Sequence, residues 1–272
     1  MTTPGPILHM LAIAACVTFP CALTAHEFWI DAAPGRAGLS ADLRVGQDLS
    51  GNALPYLDKT IAGMTHVAPS GTLPITARMG DVPAIADLPL TEDGLHILTV
   101  ETRPAYIVFD TLREFADYLA YEGLSDVEAL HRDRGLPETA IAEEYIRNAR
   151  ALVQVGAIGA GGDDRPTGLP FEIVAQGNPF AVDTPIDVRL TWQGRAAPDT
   201  QIALFYLPVG GTAPADTIRT LAVTDDSGHA QFASAGPGFY LLNAVHMAPA
   251  DGPGSVVWRS HWASLTFVRD GN

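Results

Sequence analysis

The sequence predicts a mainly β protein, with two β-sandwich-like regions of immunoglobulin or prealbumin type around a helical insertion. Three observations carry that expectation. Short β-prone runs punctuated by Gly and Pro recur at both ends of the chain. Residues 111–155 switch to helix-cap signatures and apolar i, i+3, i+4 spacing. A composition of 47% hydrophobic and 17% charged residues suits a packed core, not a disordered chain.

Residues 1–25 contain no Asp, Glu, Lys or Arg, and Ile7–Val17 forms an apolar run that Pro20 interrupts ahead of Ala25. This is the order of a secretory signal peptide, too short for a bilayer span of about 20 residues. Cleavage after Ala25 predicts a periplasmic protein that starts at His26, without stable membrane insertion. The alternative cut is at Cys16, where Ile13-Ala14-Ala15-Cys16 resembles a lipobox. Cys16 and Cys21 are the only cysteines and both lie in this leader, so any metal in the mature chain must rest on N and O ligands. The net charge of −15 disfavours nucleic acid as a partner.

The N-terminal β domain is expected over 26–110, with strands around Leu43–Val45, Leu73–Ala77, His96–Val100 and Tyr106–Phe109. In the insertion, Thr111-Leu112-Arg113-Glu114 has capping-box spacing and Gly123 is a C-terminal stop. Ser125-Asp126-Val127-Glu128 repeats the cap. Pro137 then opens a third predicted helix with the stripe Ile141, Tyr145, Ala149 and Leu152. Residues 156–168 read as a Gly/Asp-rich linker, and their glycines match neither the Walker nor the dinucleotide pattern. A C-terminal β-sandwich domain follows over 169–272. Its strands are expected around Phe171–Val174, Ile186–Thr191, Ile202–Tyr206, His229–Phe232, Phe239–Val245 and Trp262–Phe267, with a hairpin loop at Thr224–Gly228.

Seven histidines remain after the leader. His131, in His131-Arg132-Asp133-Arg134, reads as a solvated helix residue, and His66 and His96 show no ligand spacing. Alternation puts His246 on the face of Tyr240, Leu242 and Ala244, and His261 on that of Ala263 and Leu265. For each alone, the simpler account is a half-buried histidine bonded to backbone. A chain-terminal His26 differs, because its α-amine and imidazole offer two nitrogen ligands from one residue.

The segments His26-Glu27-Phe28-Trp29, Tyr118 to Leu124, Ala149 to Gly156, Gly168 to Val174, Val245-His246-Met247 and Trp262 to Phe267 together resemble a family. It comprises exported bacterial proteins with a domain of unknown function, often labelled periplasmic components of cobalt/nickel uptake systems. The resemblance covers nearly the whole mature chain. It implies a histidine at positions 26 and 246, whereas His261 departs from the pattern. It further implies capture of nickel or cobalt for a membrane importer, with copper as an alternative metal. The expected ligands are therefore His26, His246 and His261. Two other readings stay open: a non-enzymatic module for protein or glycan, and a copper-dependent oxidative enzyme with an N-terminal His. The sequence has no Gly-x-Ser-x-Gly elbow, His-Glu-x-x-His motif or cysteine nucleophile after the leader, so no hydrolase is expected.

Overall fold

The computed structural model describes residues 26–250 and 254–271. The expected signal peptide, the cut after Ala25 and the lipobox cysteine lie outside them. The N-terminal part supplies β1 (Glu27–Pro34), β2 (Leu39–Gln47), β3 (Ser50–Leu54), β4 (Ile61–Ala68), β5 (Gly71–Pro74), β6 (Ile85–Leu88), β7 (Gly94–Thr102) and β8 (Ala105–Thr111). Helices α1 (Leu112–Glu122) and α2 (Ser125–Asp133) follow, then the long strand β9 (Thr139–Val155). The rest is β10 (Phe171–Ala175), β11 (Ile186–Trp192), β12 (Arg195–Ala196), β13 (Gln201–Pro208), β14 (Ile218–Val223), β15 (His229–Phe232), β16 (Gly238–Pro249) and β17 (Val256–Arg269). The mainly β expectation therefore holds, with sheets packed face to face.

A nine-stranded sheet in the order β14-β13-β16-β17-β9-β7-β4-β5, with β8 also on β9, runs through the molecule. The two expected β regions meet in it where β17 pairs in parallel with β9. A four-stranded sheet of β1, β2, β3 and β6 covers one face, burying Phe28, Ile30 and Leu43 against Leu98, Val100 and Ala149. Another, of β10, β11, β12 and β15, covers the opposite face and buries Ile173, Val188 and Leu190 against Leu204, Leu242 and Leu265. The helices share the face of the β1 sheet, where Phe115, Tyr118 and Leu119 pack on Val245, Trp258 and Trp262. Among the described residues no helix is long and apolar enough to cross a membrane.

The helical insertion is shorter than its sequence suggested. Thr111 caps α1, accepting from the Glu114 amide at 3.2 Å, and Gly123 ends it at φ 74°, as expected. At α2 the cap position is Leu124, and Ser125 is already helical. The third predicted helix is strand β9, paired antiparallel with β7 and β8. Both faces of β9 are covered, so Ile141 to Glu143 and Asn148 to Leu152 are buried in succession. A strand buried on both faces loses period-2 alternation, and its Ala, Glu and Arg content mimics a helix. The Thr224–Gly228 turn is also no hairpin loop, because it joins β14 of the long sheet to β15 of a covering sheet. Residues 156–168 hold an anchor: Asp164 pairs with Arg150 at 2.6 Å, both side chains fully buried, and accepts from the Ala175 amide.

Candidate functional site

β1 enters its sheet beneath α1, and a cavity of about 450 Å³ opens between them. His26, Glu27, Gln47, Phe109, Tyr118 and Tyr121 are among its walls. The i, i+3, i+4 spacing of Tyr118, Tyr121 and Glu122 turns one side of α1 toward β1. Tyr121 Oη donates to Glu27 Oε1 at 3.4 Å. The helix is fixed by its caps, so these side chains meet the strand in a set geometry.

Three buried glutamates extend inward from the cavity. Glu27 is 2% exposed, and burial, reinforced by the charge of Asp48, raises its carboxyl to about 7 against its own amide and Tyr121. Glu122 lies well above the usual carboxylate range through burial and the neighbouring Glu27 charge. Glu143 is raised to about 7 by burial, partly offset by bonds from Ser260 and Tyr118. One oxygen of each (Glu27 Oε2, Glu122 Oε1 and Glu143 Oε2) has no hydrogen-bond partner. Unpaired buried carboxylates are costly, so these groups keep their protons to a higher pH than surface carboxylates do.

Two arginines flank the group. Arg219 donates to the Tyr121 carbonyl at 2.8 Å and lies 4.0 Å over that ring. Arg147 donates to the His26 carbonyl at 3.3 Å. The His26 imidazole is held below its ordinary pKa by burial and by the Arg147 charge, so it is neutral at pH 7. A neutral nitrogen donor and a carboxyl with an open oxygen thus sit on adjacent residues of one cavity wall.

The other two sequence-predicted ligands lie elsewhere. His246 and His261 are direct cross-strand partners on β16 and β17. They point into the face covered by the β10 sheet, with Trp192 ring centroids 4.6 Å from each. Burial lowers both; His261, with His246 beside it, is pushed down to about 4, and its Nδ1 has no partner. His26 is on the opposite face. Its carbonyl is held by Arg147, which pairs across from Trp262, and Trp262 stacks on Tyr118 of α1. The structure therefore brings His246 and His261 together but leaves His26 apart. Among the described residues no cluster of three or more His, Cys, Asp or Glu side chains is placed to hold a metal ion.

The other histidines are absorbed locally. His66 Nε2 bonds His96 Nδ1 at 2.8 Å, and His96 Nε2 meets the Glu92 carbonyl. His131 is not solvated: it is 1% exposed, bonded to Trp258 Nε1 at 3.0 Å and to the Pro137 carbonyl. Histidine-led reading missed the three glutamates. Glu27 and Glu122 lie inside the motif segments, where a charged residue facing an apolar helix side was the available signal. Glu143 has only its apolar neighbours Ile141 and Ala142 to mark it.

Fold and site together define a mainly β scaffold, with one helical pair, that buries a group of carboxyls behind a cavity lined in part by His26. The chain belongs to a family described as a domain of unknown function, DUF4198, whose profile matches residues 23–248. No curated protein matches the chain.

Proposed function

We propose that this is an exported, non-catalytic metal-binding protein that captures nickel or cobalt, with copper as the alternative, and passes the ion to a membrane importer. The observation that carries the proposal is Glu27, buried with an unpartnered oxygen beside the neutral imidazole of His26. A cation in the cavity would displace the Glu27 proton and gain an oxygen and a nitrogen ligand, a donor set suited to borderline divalent metals. If the exported chain begins at His26, the α-amine adds a second nitrogen. His246 and His261 then form a separate two-imidazole pair rather than completing the same shell.

A second reading, a binding module for an organic ligand, is favoured by the aromatic walls Phe109, Tyr118 and Tyr121 and by a volume larger than one ion requires. Calorimetric titration with nickel and copper distinguishes the two. The exported protein, Glu27→Gln, His26→Ala and a form extended by one N-terminal residue are to be compared. The metal reading expects each altered form to bind at least tenfold more weakly. Equal affinity in all four removes this cavity as a metal site and leaves the organic ligand.

A further inference from the structure

A second cavity, of about 360 Å³, opens between β1–β3, the segment 55–61 and the turn from β7 to β8. Its charged lining is wholly basic: Lys59, Arg103 and Arg147, with no Asp or Glu. That is unexpected in a chain of 31 acidic and 16 basic residues whose sole lysine is Lys59. Lys59 and Arg103 are exposed, with Arg103 Nε bonded to the Asp58 carbonyl at 3.1 Å.

Arg147 is the deeper group. Its guanidinium lies 4.5 Å over the Tyr145 ring and 5.8 Å over that of Phe28. Its Nε is shielded from solvent without a hydrogen-bond partner, and among the described residues no carboxylate makes an ion pair with it. The neighbouring walls, Phe28, Leu43, Leu54 and Ile61, are apolar. A guanidinium fork matches the two oxygens of a carboxylate, while apolar walls favour a ligand with a hydrocarbon body over inorganic phosphate.

We propose that this cavity binds a small organic carboxylate, its charged end on Arg147, its body against Phe28 and Ile61, and Lys59 and Arg103 drawing it in at the rim. The cavity is lined by neither His26 nor Glu27, although Arg147 donates to the His26 carbonyl and its charge lowers the His26 imidazole.

The test is calorimetric titration of the metal-free protein with 4-phenylbutyrate, its uncharged amide and inorganic phosphate. The carboxylate should saturate a single site, with the amide at least tenfold weaker, a factor worth about 1.4 kcal/mol. Arg147→Met should weaken carboxylate binding tenfold or more. Because that residue is half-buried and packed on Tyr145, the Lys59→Met/Arg103→Met double variant, altered only at exposed positions, should independently weaken it severalfold. Four results would overturn the proposal. They are no saturable carboxylate binding, an amide that binds as tightly, phosphate that binds as tightly, or unchanged affinity in the double variant.

Discussion

Glu27→Gln should change how stability depends on pH. Raising a carboxyl from its ordinary 4.5 to about 7 disfavours the ionised form in the folded state by roughly 3 kcal/mol. Below pH 4.5 the group is protonated in both folded and unfolded chains, and the variant gains nothing from losing the charge. Between 4.5 and 7 the unfolded chain releases this proton while the folded one keeps it, so Glu27 makes the parent progressively less stable as pH rises. Glutamine cannot ionise, though its amide adds a buried donor costing about 1 kcal/mol. The variant should therefore start slightly less stable at pH 4.5 and end about 2 kcal/mol more stable at pH 8. Part of the gain comes through Glu122, whose carboxyl the Glu27 charge helps to raise. Urea denaturation at half-unit pH intervals measures the difference. Parallel curves for parent and variant would refute the claim that burial raises the Glu27 carboxyl.

Other consequences follow from the same structure. Arg150→Met should cost roughly 3–5 kcal/mol in urea denaturation, because Asp164 would be left charged and fully buried. Gly123→Ala should cost about 1 kcal/mol or more by thermal unfolding, since its Cβ at φ 74° would stand 2.6 Å from Gln201 Cβ. In an NMR titration the His261 ring should stay neutral until pH falls to about 4, whereas a midpoint near 6.5 would show an open, hydrated ring. In calorimetric titration His26→Ala should lower nickel affinity at least tenfold, about 1.4 kcal/mol, while His246→Ala leaves it unchanged, because the two residues lie on opposite faces of the sheet.

Local signals carried much of the architecture. The Thr111 cap and the Gly123 stop were legible because both act within a few residues of themselves. Strands such as β7, β11 and β13 were legible as short apolar runs between turns. Strand β9 was not, since layers from other parts of the chain, β1 on one face and β10 on the other, cover it and erase the alternation that would reveal it. The histidines were found by residue type, and the register of His246 with His261 agrees with the faces assigned by alternation. What residue type could not convey was side: the neighbouring strand residues Trp262 and His261 face opposite layers, so His26, on the Trp262 side, is cut off from the His pair. The buried carboxyls escaped because the search for ligands followed residue type to the histidines, and a glutamate in a helical or strand segment is usually solvated. Only tertiary packing of α1 on β9 and β16 shows that Glu122 and Glu143 are enclosed.

The most direct test of the metal reading is anomalous diffraction from crystals of the exported protein loaded with one equivalent of nickel. The account predicts a single strong peak in the cavity beneath α1, bonded by His26 and a Glu27 oxygen, with Glu27→Gln abolishing it. A peak between His246 and His261 alone, or none at either place, would contradict it.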